Sequence, residues 1–223
     1  MRKVLLAIAV LMVPMSVSAQ ITDCPNCVLG IYDDQGLSKN FGIWDQDLTG
    51  PLKSVFVGIK YDPLLIEQLS GLTSIELSVD GIPAGPFGPP AFKGIPDPTV
   101  TIGTDIRTPD DEVTGTGGVN MAWNSCLPGD RAVVQIDMLS LSAIPMDIVL
   151  RVRRKFPPSS PSIQQQLITQ CDAPIFTATT VSGGCYVINP TVPPGGTVDG
   201  CELDLVDAVE AQTWGKVKAL YKD

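Results

Sequence analysis

Proline and glycine interrupt this chain at short intervals, with 20 prolines and 21 glycines in 223 residues. Proline has no backbone N–H to donate, and glycine loses the most conformational freedom on folding, so long regular elements are disfavoured. The densest interruptions, at 82–90, 157–161 and 190–200, are predicted to be loops. The chain must therefore fold from short elements joined by turns.

Apolar and polar residues alternate between these interruptions. In 73–80, for example, Ile75, Leu77 and Val79 share one face, and Glu76 and Ser78 share the other. A period of two predicts strands with one buried and one solvated face. The same pattern occurs at 53–61, 100–102, 134–138 and 148–152, and further strands are predicted at 27–33, 119–124, 163–170, 175–181 and 185–189.

Many short strands between turn signals predict an all-β fold, an antiparallel β-sandwich of the Ig-like or jelly-roll kind. We place this sandwich at residues 20–200. Two smaller β units divided near 157–161 are the alternative.

The first nineteen residues have the three parts of a secretory signal peptide. Arg2 and Lys3 precede a short apolar core, and small residues at 17–19 suit cleavage after Ala19, which would leave Gln20 at the new N-terminus. No later apolar run is long enough for a transmembrane helix. We expect a secreted or cell-surface protein, with the periplasm as the alternative.

Charge and the absence of histidine exclude several functions. Without the signal peptide the chain has 13 Lys and Arg and 24 Asp and Glu, so its net charge is −11. This charge disfavours nucleic acid as a partner. No histidine occurs in the sequence, which removes Ser-His-Asp and Cys-His hydrolysis and HExxH zinc proteases. Carboxylate-pair, Ser–Lys and dithiol chemistry remain.

All six cysteines follow the signal peptide, and an even number in an exported chain predicts disulfides. Six cysteines allow 15 connectivities, and sequence alone does not choose among them. We favour the pairs Cys24–Cys27, Cys126–Cys171 and Cys185–Cys201.

The motif Cys24-Pro-Asn-Cys27 resembles the C-P-x-C centre of thioredoxin-like oxidoreductases, in which a helix N-terminus lowers the pKa of the first cysteine. Here only residues 20–23 precede the motif, too few for a strand before it, and Val28–Tyr32 follows as a predicted strand. A zinc site would need a second cysteine pair or histidines. A structural disulfide is therefore favoured over a redox centre.

Acidic and aromatic residues offer two weaker sites. Calcium would be held by Asp45 and Asp47 or by Asp110 and Asp111, although neither stretch matches a calcium-loop motif and solvated loops are the preferred interpretation. No other cofactor is expected. Aromatic rings could stack on sugars, but core packing is the commoner use. The available rings are Tyr32, Trp44, Tyr61 and Trp123, of which Trp44 is expected to be the most exposed.

The run 151–155 is a basic patch on an acidic protein, which indicates edge protection, pairing with carboxylates or contact with an acidic neighbour.

The C-terminal segment 201–223 contains the one predicted helix, which begins at Thr213 as N-cap. Trp214, Val217, Leu220 and Tyr221 share one face of it and form a docking surface for the sandwich itself or for a partner. The ending AVEAQTWGKVKALYKD resembles the tail of some uncharacterised secreted bacterial proteins, a resemblance that implies no activity.

These features favour a non-enzymatic structural or adhesive surface protein whose partners are its own copies or other surface proteins. A carbohydrate-binding module that recognises glycans is the alternative. A dithiol oxidoreductase using Cys24 and Cys27 is a third hypothesis.

Overall fold

The computed structural model describes residues 21–44, 52–61, 71–83, 86–111, 115–159, 164–171 and 178–204. These residues form fourteen strands and no helix, so the predicted all-β class is confirmed for the described part of the chain. No helix there is long and apolar enough to cross a membrane. The predicted signal peptide and the predicted helix at 213–221 lie outside the described residues.

The strands differ widely in length, from two residues to twelve. In chain order they are β1 (Ile21–Tyr32), β2 (Phe41–Gly42), β3 (Lys53–Lys60), β4 (Leu72–Asp80), β5 (Ala91–Gly94), β6 (Val100–Ile102), β7 (Val119–Leu127), β8 (Arg131–Met138), β9 (Ile148–Arg153), β10 (Gln166–Gln170), β11 (Ala178–Gly183), β12 (Cys185–Ile188), β13 (Thr197–Val198) and β14 (Cys201–Glu202).

Twelve of the strands form one sheet, and β13 and β14 form a separate hairpin. The order along the sheet is β2-β12-β9-β4-β10-β11-β1-β3-β8-β5, and β7 joins at β4 and carries β6. Most neighbours are antiparallel, but β1 pairs with β11 and β2 with β12 in parallel. The expected purely antiparallel arrangement is therefore wrong for these two pairs. Their members are distant in sequence, so no tight hairpin fixes their relative direction.

The sheet turns back on itself at Gly183 and Gly184. On one side of this bend β11 pairs with β10 and β1, and on the other β12 pairs with β9 and β2. Gly184 joins the two parts directly, because its N–H donates to Leu29 O and its carbonyl accepts from Val152 N–H, both at 3.0 Å. Strands change layers at such bends in packed sheets. The bend brings β1 and β9 together around the core.

Burial follows the predicted alternation in three long strands. The alternate apolar residues of β3, β4 and β8 are buried. They are Val55, Val57, Ile59, Ile75, Leu77, Val79, Val134, Ile136 and Met138. The period of two therefore identified the core-facing side of each.

The same prediction is wrong for β6. Val100 and Ile102 are 49% and 58% exposed. They pair with Ala122 and Asn120 on the outer side of β7, while Met121 of β7 is buried. Alternation shows which residues share a face, whereas pairing with β7 decides where that face points.

The second face of β4 is also buried, contrary to the expected solvated face. Glu76 is 2% exposed, and Ser78 is fully covered. The Ser78 hydroxyl donates to Arg154 O at 2.6 Å, and Val79 N–H donates to Ile106 O at 2.7 Å. The segments around residues 106 and 154 therefore cover the polar face of β4, which was predicted to face solvent.

Candidate functional site

Cys24 and Cys27 close a bulge inside β1. Cys24 pairs with Val181 and Val28 with Ser182, so three residues of β1 lie between two consecutive positions of β11. A disulfide joins Cys24 to Cys27, and both residues are buried. The strand begins at Ile21, so the expectation that no strand precedes the motif is wrong. The motif lies within a strand rather than at a helix N-terminus, so a helix dipole does not activate Cys24.

Two further disulfides connect distant strands, in the pairing that the sequence analysis favoured. Cys126 of β7 is bonded to Cys171, which directly follows β10, and β4 lies between these strands. Cys185 of β12 is bonded to Cys201 of β14. This last bridge fastens the β13–β14 hairpin to the sheet, where Val198 and Leu203 pack against Val187.

The expected exposure of Trp44 is wrong, because the side chain is 4% exposed. Its ring contacts Phe87 edge-on at 5.8 Å, and its indole N–H donates to the Tyr186 hydroxyl at 3.3 Å. The other three candidate rings, Tyr32, Tyr61 and Trp123, are buried as well. The four rings considered for sugar stacking are therefore core residues.

The acidic candidates do not converge on a metal site in the described residues. Asp110 and Asp111 lie on an exposed loop, whereas Asp45 and Asp47 lie outside the described residues. No group of three or more Cys, Asp or Glu that could hold a metal occurs in the described part of the chain. Near the loop, hydrogen bonds from Arg107 lower the pKa of Asp105, and the same bonds raise the pKa of Arg107.

A basic cleft of about 490 Å³ lies beside the bend in the sheet. Arg151, Arg153 and Arg154 line one side of it, and Gln164–Gln166 and Ser182–Cys185 line the others. Arg151 forms an ion pair with Asp199 at 2.8 Å, and Arg153 forms one with Asp80 at 3.6 Å. The predicted pairing of the basic run with carboxylates is thus confirmed, whereas edge protection is wrong, because β9 lies between β4 and β12. An anionic group that bound here would have to compete with Asp80 and Asp199 for two of the three arginines.

The outer side of β6 is the other unusual surface. Within the described residues β6 has a strand partner on one side only, β7, and its residues are all exposed. Val100, Thr101 and Ile102 carry no charge. Sequence reasoning missed this surface because it assigned the apolar residues of β6 to the core.

No protein-family model matches the chain, and no curated protein matches it significantly. Among solved structures, a cohesin module from a family 33 glycoside hydrolase of Clostridium perfringens is similar to 73% of this chain over 98% of its own length, at 11% identity and a TM-score of 0.39. The seventh ScaB type I cohesin of Pseudobacteroides cellulosolvens is similar to 80% of this chain over 99% of its length, at 10% identity and a TM-score of 0.37. At these TM-scores neither similarity indicates what this chain binds.

Proposed function

We propose that this chain is an exported, non-enzymatic adhesive or assembly protein that binds other proteins, its own copies among them, through the outer side of β6. The observation that carries the proposal is the exposure of Val100 and Ile102 on a strand that has one strand partner among the described residues. An unpaired strand edge can add an extended segment of another chain by backbone hydrogen bonds, and alternate side chains supply the apolar contact.

In the described part of the chain β2, β5 and β6 lie at the ends of the sheet, and β5 and β6 differ in charge. Proteins usually protect sheet edges with charges, prolines or very short strands. β5 has the exposed Lys93, whereas β6 has no charge. β6 is only three residues long, between Pro98 and Gly103, so the outer face of β7 at Ala122 and Asn120 has to contribute to the contact as well.

Export is supported by the signal-peptide pattern at 1–19 and by three disulfides, which persist in oxidising compartments. The non-enzymatic role is supported by the absence of histidine and by the burial of Cys24 and Cys27 in a strand. The sugar-binding alternative has no support, because the rings it needs are buried.

Sedimentation velocity of the chain without its signal peptide, over a wide range of concentration, tests the proposal. We expect self-association, which Ile102→Asp should weaken at least about tenfold, or ~1.4 kcal/mol. Ile43→Asp is the matched control, since Ile43 is likewise an exposed isoleucine, at 74%, but follows β2 and belongs to neither β6 nor β7. A wild-type chain that stays monomeric at every concentration, or equal effects of the two variants, would contradict the role of β6.

The basic cleft supports a second candidate function, the binding of an acidic segment of a neighbouring protein. Three arginines gather there on a chain whose net charge is −9. Such a contact should weaken with added salt, whereas apolar association through β6 should not. Arg153→Glu should abolish a salt-sensitive association that the exposed Lys93→Glu leaves intact.

A further inference from the structure

Three exposed apolar side chains lie together where β3 meets β8. They are Leu52, Leu139 and Leu141, and we call them the apolar end. Phe87 forms a bridge with Ser140, Gly88 N–H donates to Leu139 O, and Leu141 N–H donates to Pro86 O. Ser140 is buried, so Leu139 and Leu141 on either side of it point outward together.

Leu52 joins these two leucines through the register of β3 with β8. Lys53 pairs with Met138, which places Leu52 beside Leu139 at the end of β3 and β8. The segment after β2 lies near the same end, because the Trp44 ring packs on Phe87, the bridge partner of Ser140. A group of large exposed apolar side chains on a monomer marks a surface that another element can cover.

We infer that the apolar end is covered by the chain's own C-terminal segment, which docks as a helix over 213–221 with Trp214, Val217, Leu220 and Tyr221 against it. This inference goes beyond the proposed function, which concerns β6. The four docking residues recur at helical spacing, and a helix this short needs a surface on which to pack.

The position at which the described chain ends makes this surface accessible to the tail. Asp204 N–H donates to Asn40 Oδ1 at 2.8 Å, and Asn40 Nδ2 donates to Glu202 O at 2.8 Å. Asn40 is four residues from Trp44, within about 14 Å along the chain, and the Trp44 ring contacts Phe87 beside the apolar end. The stretch from Asp204 to Thr213 can span up to about 30 Å, so the tail reaches the apolar end easily.

Charge favours the same occupant. The segment 213–222 contains three lysines and no acidic residue, on a chain whose net charge is −9. The tail is therefore attracted to the body of its own protein, and its tether keeps it at high effective concentration there.

Hydrogen exchange of the full chain, at a concentration where it is monomeric, tests the inference. Leu141→Asp should accelerate exchange at 213–221 at least about tenfold, equivalent to ~1.4 kcal/mol. Ile102→Asp is the control, because its 58% exposure matches the 57% of Leu141. In the reverse direction, Leu220→Asp should accelerate exchange at 139–141 without perturbing the folded strands.

Acrylamide quenching gives an independent readout. Trp44 and Trp123 are buried, so any tryptophan that Leu141→Asp exposes is Trp214. The inference is overturned if Leu141→Asp leaves both the quenching and the exchange of 213–221 unchanged, if Ile102→Asp changes them equally, or if protection disappears on dilution, as contact with a second copy requires. Failure of β6-mediated assembly would leave these results unaffected, because the measurement is made on the monomer.

Discussion

The Tyr186 hydroxyl donates a hydrogen bond of 2.8 Å to Asp33 Oδ1 and accepts one of 3.3 Å from the indole N–H of Trp44. Tyr186 is fully buried, and Lys39 holds the same carboxylate from the other side at 3.1 Å. A Cβ at Gly42 would collide with the Tyr186 hydroxyl, so only glycine lets β2 approach this closely. This polar contact therefore joins β12, β2 and the segment after β1.

Replacing Tyr186 with Phe should lower the free energy of unfolding by about 1–3 kcal/mol. The variant loses the hydrogen bond from the hydroxyl to the Asp33 carboxylate, and the indole N–H of Trp44 loses its acceptor. Urea denaturation measures the change. Tyr61→Phe is the matched control, since the Tyr61 hydroxyl is buried without a hydrogen-bond partner among the described residues. An equal loss in both variants would show that packing, and not the hydrogen bond, accounts for the effect.

Alkaline pH should destabilise the fold through its buried tyrosines. Burial raises the pKa of Tyr32, Tyr61 and Tyr186 above the ordinary value of 10.0, and nearby aspartates raise it further. As pH rises, the three tyrosines therefore lose their protons at a lower pH in the unfolded chain than in the folded protein. Stability should be fully present below about pH 10 and fall above it by up to ~1.4 kcal/mol per pH unit for each tyrosine.

Denaturation curves recorded at successive pH values test this dependence. Tyr61→Phe should reduce the slope of unfolding free energy against pH by the contribution of one titrating group. This holds whatever the variant does to stability at neutral pH. A slope that does not change in this variant would mean that Tyr61 titrates normally in the folded protein.

The core-facing side of the long strands was predictable because alternation over eight or nine residues identifies one apolar face, as in β3 and β8. In β6 three residues define a shared face but not its direction, which depends on the pairing of Val100 with Ala122. Trp44 was predicted to be exposed because Gly42 and Asp45 near it indicated a loop, whereas its burial comes from Phe87 and Tyr186.

The candidate surfaces were less predictable than the strands. The basic run at 151–155 is visible in the sequence, but its carboxylate partners Asp80 and Asp199 come from separate segments. The apolar end likewise combines Leu52 with Leu139 and Leu141. Such surfaces depend on long-range pairing, which no local pattern encodes.

Glu76 is a buried carboxylate that the alternation had assigned to solvent. Ser159 donates to it through both its N–H, at 2.9 Å, and its hydroxyl. In Glu76→Gln an amide N–H₂ would face one of these donors, so we expect a loss of about 1–3 kcal/mol in unfolding free energy. The exposed Glu202→Gln should change it by less than about 0.5 kcal/mol. Equal values for the two variants would refute a structural role for this carboxylate.

Gly183 marks the bend between the two parts of the sheet, and a Cβ there would collide with Val152 O and lie 2.6 Å from Gln166 Nε2. Gly183→Ala should therefore destabilise the protein by about 1–3 kcal/mol. Gly88→Ala is the control, since its Cβ would meet nothing closer than 3.6 Å. Thermal unfolding of both variants measures the difference, and a neutral Gly183→Ala would show that the bend can widen at no cost.

The three disulfides should stabilise the fold to different extents, because each restricts a loop of different length in the unfolded chain. The sequence separations are 45 for Cys126–Cys171, 16 for Cys185–Cys201 and 3 for Cys24–Cys27. Loop-closure entropy predicts losses of about 4, 3 and 1.6 kcal/mol when each pair is replaced by serine.

Urea denaturation of the three double-serine variants tests this order. The Cys185–Cys201 variant should also show faster hydrogen exchange at β13 and β14, since this bridge fastens that hairpin to β12. The Cys24–Cys27 variant should keep its fold, with faster exchange confined to the bulge in β1. If the Cys24–Cys27 variant instead lost the most unfolding free energy, loop-closure entropy would not account for the effect of this bridge. Its stabilisation would then come mainly from setting the register between β1 and β11.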